Sequence, residues 1–113
     1  MSATTQTWVA VIDIVGLTPR EYDAILRKMD VEQTPAPGIY CHIAAPLADE
    51  TGLRVIELWD SKEDFDSFIQ ARLVPTVQAL GIERETTVTL TPLFNAFVPR
   101  ALQMTALEQT RVK

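Results

Sequence analysis

Short runs rich in β-branched residues alternate with stretches whose apolar positions recur every three or four residues, and this alternation predicts six elements. Residues 7–15, TWVAVIDIV, read as a first strand ending at Gly16. Trp8, Ala10, Ile12 and Ile14 share one face; Val9, Val11 and Val15 share the other with Asp13, the one discordant residue. Thr18, Pro19 and Glu21 then supply a cap, a first-turn proline and the acid of a capping box. Tyr22, Ile25, Leu26 and Met29 follow as a core-facing helical stripe, with Arg20, Arg27 and Lys28 outside it. The prolines and Gly38 of TPAPG (34–38) end that helix, so IYCHIAA (39–45) begins a second strand, which Pro46 ends. After the polar turn LADETG comes LRVIELW (53–59), a third strand close enough to the second for an antiparallel hairpin.

Ser61 caps a second helix with Asp64 at the reciprocal position, and Phe65, Phe68, Ile69 and Leu73 form its buried stripe. Pro75 interrupts the hydrogen-bond ladder before Gly81 closes it, which predicts a kink or two short helices. Residues 85–94, ETTVTLTPLF, read as a fourth strand, with Thr86, Val88 and Leu90 opposite Thr87, Thr89 and Thr91. Phe94 and Phe97 are placed to close one end of a barrel. The tail from Pro99 through Val112 has helix formers but a weak apolar stripe, so it reads as a short helix docked on a neighbour or as a frayed end.

The order strand, helix, strand, strand, helix, strand is the split βαβ arrangement: an α+β, ferredoxin-like fold with a four-stranded antiparallel sheet and both helices on one face. The chain of 113 residues is read as a single domain, with a core over about 7–97 and a tail over 98–113. Strands 1 and 2 are apolar on both faces, whereas a solvated face would be polar at alternate positions. A homodimer packed sheet against sheet is therefore expected, giving a dimeric α+β barrel.

Charge narrows the partners. A net charge of −5, with ten scattered Lys and Arg, argues against nucleic acid. No run is long and apolar enough for a membrane span, and the N-terminal MSATTQT has neither a basic head nor an apolar stretch, so a cytoplasmic protein is expected. Cys41 stands alone among apolar neighbours and reads as a buried core thiol. With one His and no ligand-like spacing of Cys, His and acids, no metal site is expected.

The candidate chemistry centres on His42, the residue type best suited to proton transfer near neutrality, lying mid-strand with Tyr40 and Ala44 on its face. It reads either as a pocket base or as a core or interface histidine. Glu57 reads either as a general base or as a carboxylate satisfied by backbone or solvent. Trp59, two residues on and on the same face, is either the wall of an aromatic-binding cavity or a core tryptophan anchoring the strand-to-helix turn. Asp13 reads as the partner of Arg54 or Arg72 at the dimer interface, with a catalytic carboxylate as the alternative.

The stretch IELWDSKEDFDSF, with Glu57, Trp59, Asp60, Ser61, Glu63, Asp64, Phe65 and Phe68, resembles the dimeric α+β barrel superfamily, in particular its antibiotic biosynthesis monooxygenase-like branch. The element order extends that resemblance over residues 7 to about 95. It implies a small enzyme working without a cofactor on an aromatic or polyketide-like compound; for such an enzyme His42 and Glu57 are the expected acid–base residues, with Trp59, Tyr40, Phe65, Phe68 and Tyr22 expected around the substrate. By the residues alone, Tyr22, Phe65 and Phe68 fit the helix-facing core equally well. The superfamily also contains polyketide cyclases and proteins of no known activity, so a cyclase and a non-catalytic dimeric binding, stress or accessory protein stand as alternatives. Its haem-degrading members pair a strand-end Trp, matched by Trp59, with an Asn on the first strand and a His on the second helix; neither is present here, the one Asn being Asn95.

Overall fold

The computed structural model describes residues 6–109, so the first five residues and the tail expectation at 110–112 lie outside the described residues. Its elements are β1 (Trp8–Val15), α1 (Pro19–Met29), β2 (Ile39–Pro46), β3 (Gly52–Trp59), α2 (Lys62–Phe68), a π-helical turn (Ile69–Leu73), α3 (Val74–Leu80), β4 (Thr86–Pro92) and a 3-10 helix (Ala101–Gln109). The sheet is antiparallel in the order β2-β3-β1-β4, an α+β ferredoxin-like fold. Hairpin β2–β3 is thus one half of the sheet, and β2 is an edge.

Local chemistry sets the helix boundaries. Thr18 accepts from the Glu21 N–H and the Glu21 carboxylate accepts from the Thr18 N–H, both at 3.1 Å, so the first capping box is complete. At α2 the Ser61 hydroxyl accepts from the Asp64 N–H at 3.0 Å, but no return bond from Asp64 is formed; its carboxylate is one methylene shorter than that of Glu21. Pro75 leaves its mark one turn upstream. The proline ring crowds the carbonyl four residues back, that of Ala71, and the chain widens into the π turn, where the Val74 N–H reaches the Ile69 carbonyl. Gly81 then closes α3 in the left-handed conformation.

Gly52 opens β3 at φ 136°, with the space for a Cβ already occupied by the Ile14 carbonyl. Its absent side chain lets β1 and β3 pair to their ends, Val15 opposite Gly52 and Trp8 opposite Trp59. The helix-facing side of the sheet carries the core: Ala10, Ile12, Val55 and Trp59 pack against Phe65, Phe68 and Ala36, all less than a tenth exposed. Burying these side chains is the main stabilising term, at roughly 1.5–3 kcal/mol for each large one.

The opposite face is open in the protomer. Register places Val9, Val11 and Asp13 of β1, Leu58, Ile56 and Arg54 of β3, and Cys41, Ile43 and Ala45 of β2 on it together. Ile43 is 48% and Ile56 37% exposed. One expectation changes here. Cys41 is half-buried on this open face rather than in the core, because an edge strand presents alternate residues away from the helices. Phe94 and Phe97, expected at one end of a barrel that needs a second copy, project almost fully into solvent in the protomer.

Candidate functional site

The helix-facing side of the β2–β3 hairpin holds a continuous hydrogen-bond chain. Pairing sets His42 directly opposite Glu57, and two-residue spacing puts Trp59 beside Glu57 on the same face. His42 Nδ1 lies 2.8 Å from Glu57 Oε2, and the Trp59 indole N–H donates to Glu57 Oε1 at 3.0 Å. On the other side of the imidazole, Nε2 lies 2.6 Å from the Tyr22 hydroxyl, delivered by the first turns of α1. The Tyr22 and His42 rings stand 5.9 Å apart, tilted by 32°.

Burial is graded along this chain. Trp59 is fully enclosed, the Glu57 side chain is 3% exposed and the His42 side chain is 31% exposed. A carboxylate removed from water needs both oxygens satisfied, and Glu57 has one donor on each. The indole N–H can only donate, so Glu57 Oε1 accepts; with Glu57 ionised, Oε2 accepts as well and the imidazole carries its proton on Nδ1. The Nε2 lone pair is then turned toward Tyr22 and solvent. Bonded to a carboxylate on one ring nitrogen and to a phenol on the other, the imidazole is held in a single orientation.

The aromatic residues divide differently from the expectation that they surround a substrate. Trp59 packs on Phe65, edge to face at 5.7 Å, and on Phe68 at 5.4 Å; these three are core, because α2 lies directly over the end of β3. Tyr40 also leaves the His42 face. A bulge between Ile39 and Cys41 inserts it as the extra residue of β2, breaking the alternation on which that shared face rested. Tyr40 is 62% exposed, and its hydrogen bond with Asp60 holds its phenol above the usual range. Tyr22 therefore joins His42 and Glu57, whereas Tyr40 does not.

Two concavities lie elsewhere. The larger, about 450 Å³, is a groove on the open sheet face lined by residues including Asp13, Ile43, Leu47, Arg54 and Ile56. A smaller one, about 150 Å³, lies between the loop at Ala36 and Pro37 and helix residues Phe68 and Arg72. Asp13 is opposite Arg54 in register and takes a two-point bond from its guanidinium at 2.7 and 2.8 Å, which holds the Asp13 carboxyl below its usual range. Arg72, the other partner considered, instead donates to the Met29 carbonyl at 2.7 Å.

Sequence comparison finds no matching protein-family model and no matching curated protein. Solved structures do match. SnoaB, a cofactor-independent oxygenase from Streptomyces nogalater, is 16% identical at a TM-score of 0.60, over 86% of this chain and 100% of that one. A candidate antibiotic biosynthesis monooxygenase from Nitrosomonas europaea is 11% identical at a TM-score of 0.62, over 83% and 96%. A dimeric ferredoxin-like protein of unknown function from Thermobifida fusca is 8% identical at a TM-score of 0.58, over 82% and 96%. The chain thus has the ferredoxin-like fold seen in antibiotic biosynthesis monooxygenase-like proteins.

Proposed function

We propose that the protein is a small oxygenase of the monooxygenase-like type, acting on an electron-rich phenolic or polyketide-like compound that supplies its own electrons. The observation that carries this reading is the chain Tyr22–His42–Glu57–Trp59, which runs from a solvent-reachable hydroxyl to a buried carboxylate. A substrate hydroxyl approaching between α1 and the edge of β2 gives its proton to the Tyr22 oxygen as Tyr22 passes its own to His42 Nε2. Glu57 offsets the resulting imidazolium charge. The substrate anion then reduces dioxygen: one oxygen atom enters the ring as a quinone carbonyl, and the other leaves as water with the hydrogens removed. Cyclisation through an enolate would use the same base.

The protein also acts as a homodimer through its open sheet face, in support of which Ile43 and Ile56 are exposed beside Val9, Val11 and Leu58. A chain sedimenting as a monomer at tens of micromolar would rule this out.

Oxygen uptake with a panel of polyhydroxylated aromatics tests the activity. The wild type is expected to turn over at least one of them, and His42→Ala, shown folded by circular dichroism, to lose about 10²–10⁴-fold in kcat. Full turnover by His42→Ala refutes the assignment. The close packing of Trp59, Phe65 and Phe68 favours a second reading, a non-catalytic binding or accessory dimer. An inert wild type that still binds such aromatics in equilibrium dialysis would select it.

A further inference from the structure

Each link of the chain from Trp59 to Tyr22 passes its polarity to the next. A neutral imidazole has one N–H and one bare nitrogen, and a phenol has one O–H and two lone pairs. The Trp59 indole N–H donates to Glu57 Oε1 at 3.0 Å. His42 Nδ1 lies 2.8 Å from Oε2, within the roughly 2.7–2.9 Å of a charge-assisted N–H···O⁻ bond. With Nδ1 donating to an ionised Glu57, Nε2 accepts, and its donor at 2.6 Å is the Tyr22 O–H. The single Tyr22 proton is then spent inward. Toward a group arriving from solvent, the Tyr22 oxygen can only accept.

Such a group has room to arrive. Ala44 follows His42 on the helix-facing side of β2, opposite the buried Val55. It is exposed, and β2 is the edge of the sheet, so the shelf beside His42 carries only a methyl and opens to solvent. The imidazole and the Tyr22 ring, tilted by 32°, offer flat surfaces at that shelf for an aromatic ligand.

We infer that Tyr22 selects the ligand by hydrogen-bond polarity: the site takes a phenol or enol hydroxyl and turns away the corresponding ether and quinone carbonyl. A hydroxyl donates to the Tyr22 oxygen and extends the chain by one link. An ether or a carbonyl brings only lone pairs, which repel those of Tyr22 and replace none of the hydrogen bonds of the water they displace. The inference rests on the site proposed above and adds a rule that separates substrate from product there. Oxidation turns the phenol oxygen into a carbonyl, which has nothing to donate, so the quinone is released.

Glu57 provides the means to reverse this polarity. In Glu57→Gln the side-chain carbonyl still accepts from the Trp59 indole, while the amide N–H faces Nδ1 and donates to it. Nε2 then carries the ring proton and donates to the Tyr22 oxygen, and the Tyr22 O–H turns outward as a donor. The substitution is nearly isosteric and leaves every buried atom of the chain paired.

Equilibrium dialysis under nitrogen, at about pH 8 where an ordinary imidazole is neutral, measures binding without turnover. The wild type is expected to hold durohydroquinone about 10-fold tighter than duroquinone, and α-naphthol about 10-fold tighter than its methyl ether. Glu57→Gln, shown folded by circular dichroism, is expected to reverse the first preference and hold duroquinone the tighter. The same preference in both proteins overturns the inference, as does a wild type that binds none of the four probes. Amide chemical shifts of the wild type on adding α-naphthol test the location without any variant. Changes centred on Tyr22, His42 and Ala44 support the site, and changes confined to the groove on the open sheet face overturn it. A wild type with this selectivity that consumes no oxygen with any phenol refutes the oxygenase and leaves the inference standing.

Discussion

Glu57 is the residue on which the site depends, because a carboxylate this deeply buried persists only while both of its oxygens are bonded. Trp59→Phe keeps the packing against Phe65 and Phe68 but removes the donor to Oε1. It is expected to lower stability by about 1–3 kcal/mol in urea unfolding, and an unchanged midpoint would show that the indole bond contributes nothing. The exposed ion pairs act differently. The Arg84 guanidinium, bonded at 3.0 and 3.1 Å, and the Thr18 N–H behind it hold the Glu21 carboxyl below its usual range. A depressed native pKa means the unfolded chain takes up the proton first. The associated stability is in place above the ordinary carboxylate range and is lost as pH falls through the native value. Arg84→Met is therefore expected to make the loss of stability from about pH 5 to pH 2 shallower. Parallel acid limbs in variant and wild type would contradict this.

At the scale of elements, much was legible because the signals are local. Thr18 and Glu21 sit within one turn of each other, Gly81 marks its own helix end, and Pro75 announces a disturbance, though not that the disturbance would be a π turn. What escaped depends on pairing between distant segments. The bulge that removes Tyr40 from the His42 face is a property of how β2 meets β3, and the Tyr22–His42 bond spans a helix and a strand. The helical stripe turned Tyr22 toward the sheet without indicating which strand residue it would meet. The Glu57–Trp59 spacing put both on one face, and burial decided that Trp59 is core. One local feature runs against propensity: Asp30 ends α1 at φ 58°, a left-handed conformation that favours glycine, with its negative charge at the negative end of the helix dipole. Asp30→Gly is expected to stabilise the protein by roughly 0.5–1 kcal/mol, read as a higher melting temperature. A lower one would mean that the Asp30 side chain supplies a compensating contact.

The whole molecule has one finished face and one unfinished one. Helices seal Trp59 and its neighbours, whereas the opposite sheet face and the segment beyond Leu93 both present apolar surface to solvent. The His42 site lies at the edge strand on the finished side, so its geometry is built within one protomer; in the dimer proposed above, pairing of the open faces would stabilise the scaffold that holds it. Because the chain contains one histidine, a two-fold dimer gives a single set of imidazole signals. Long-range ¹⁵N–¹H correlation spectra of the neutral ring therefore read the central claim, that Glu57 and Tyr22 hold His42 ready to accept a proton at Nε2. The account predicts the proton on Nδ1 and a bare Nε2, and a ring protonated on Nε2 instead would contradict it.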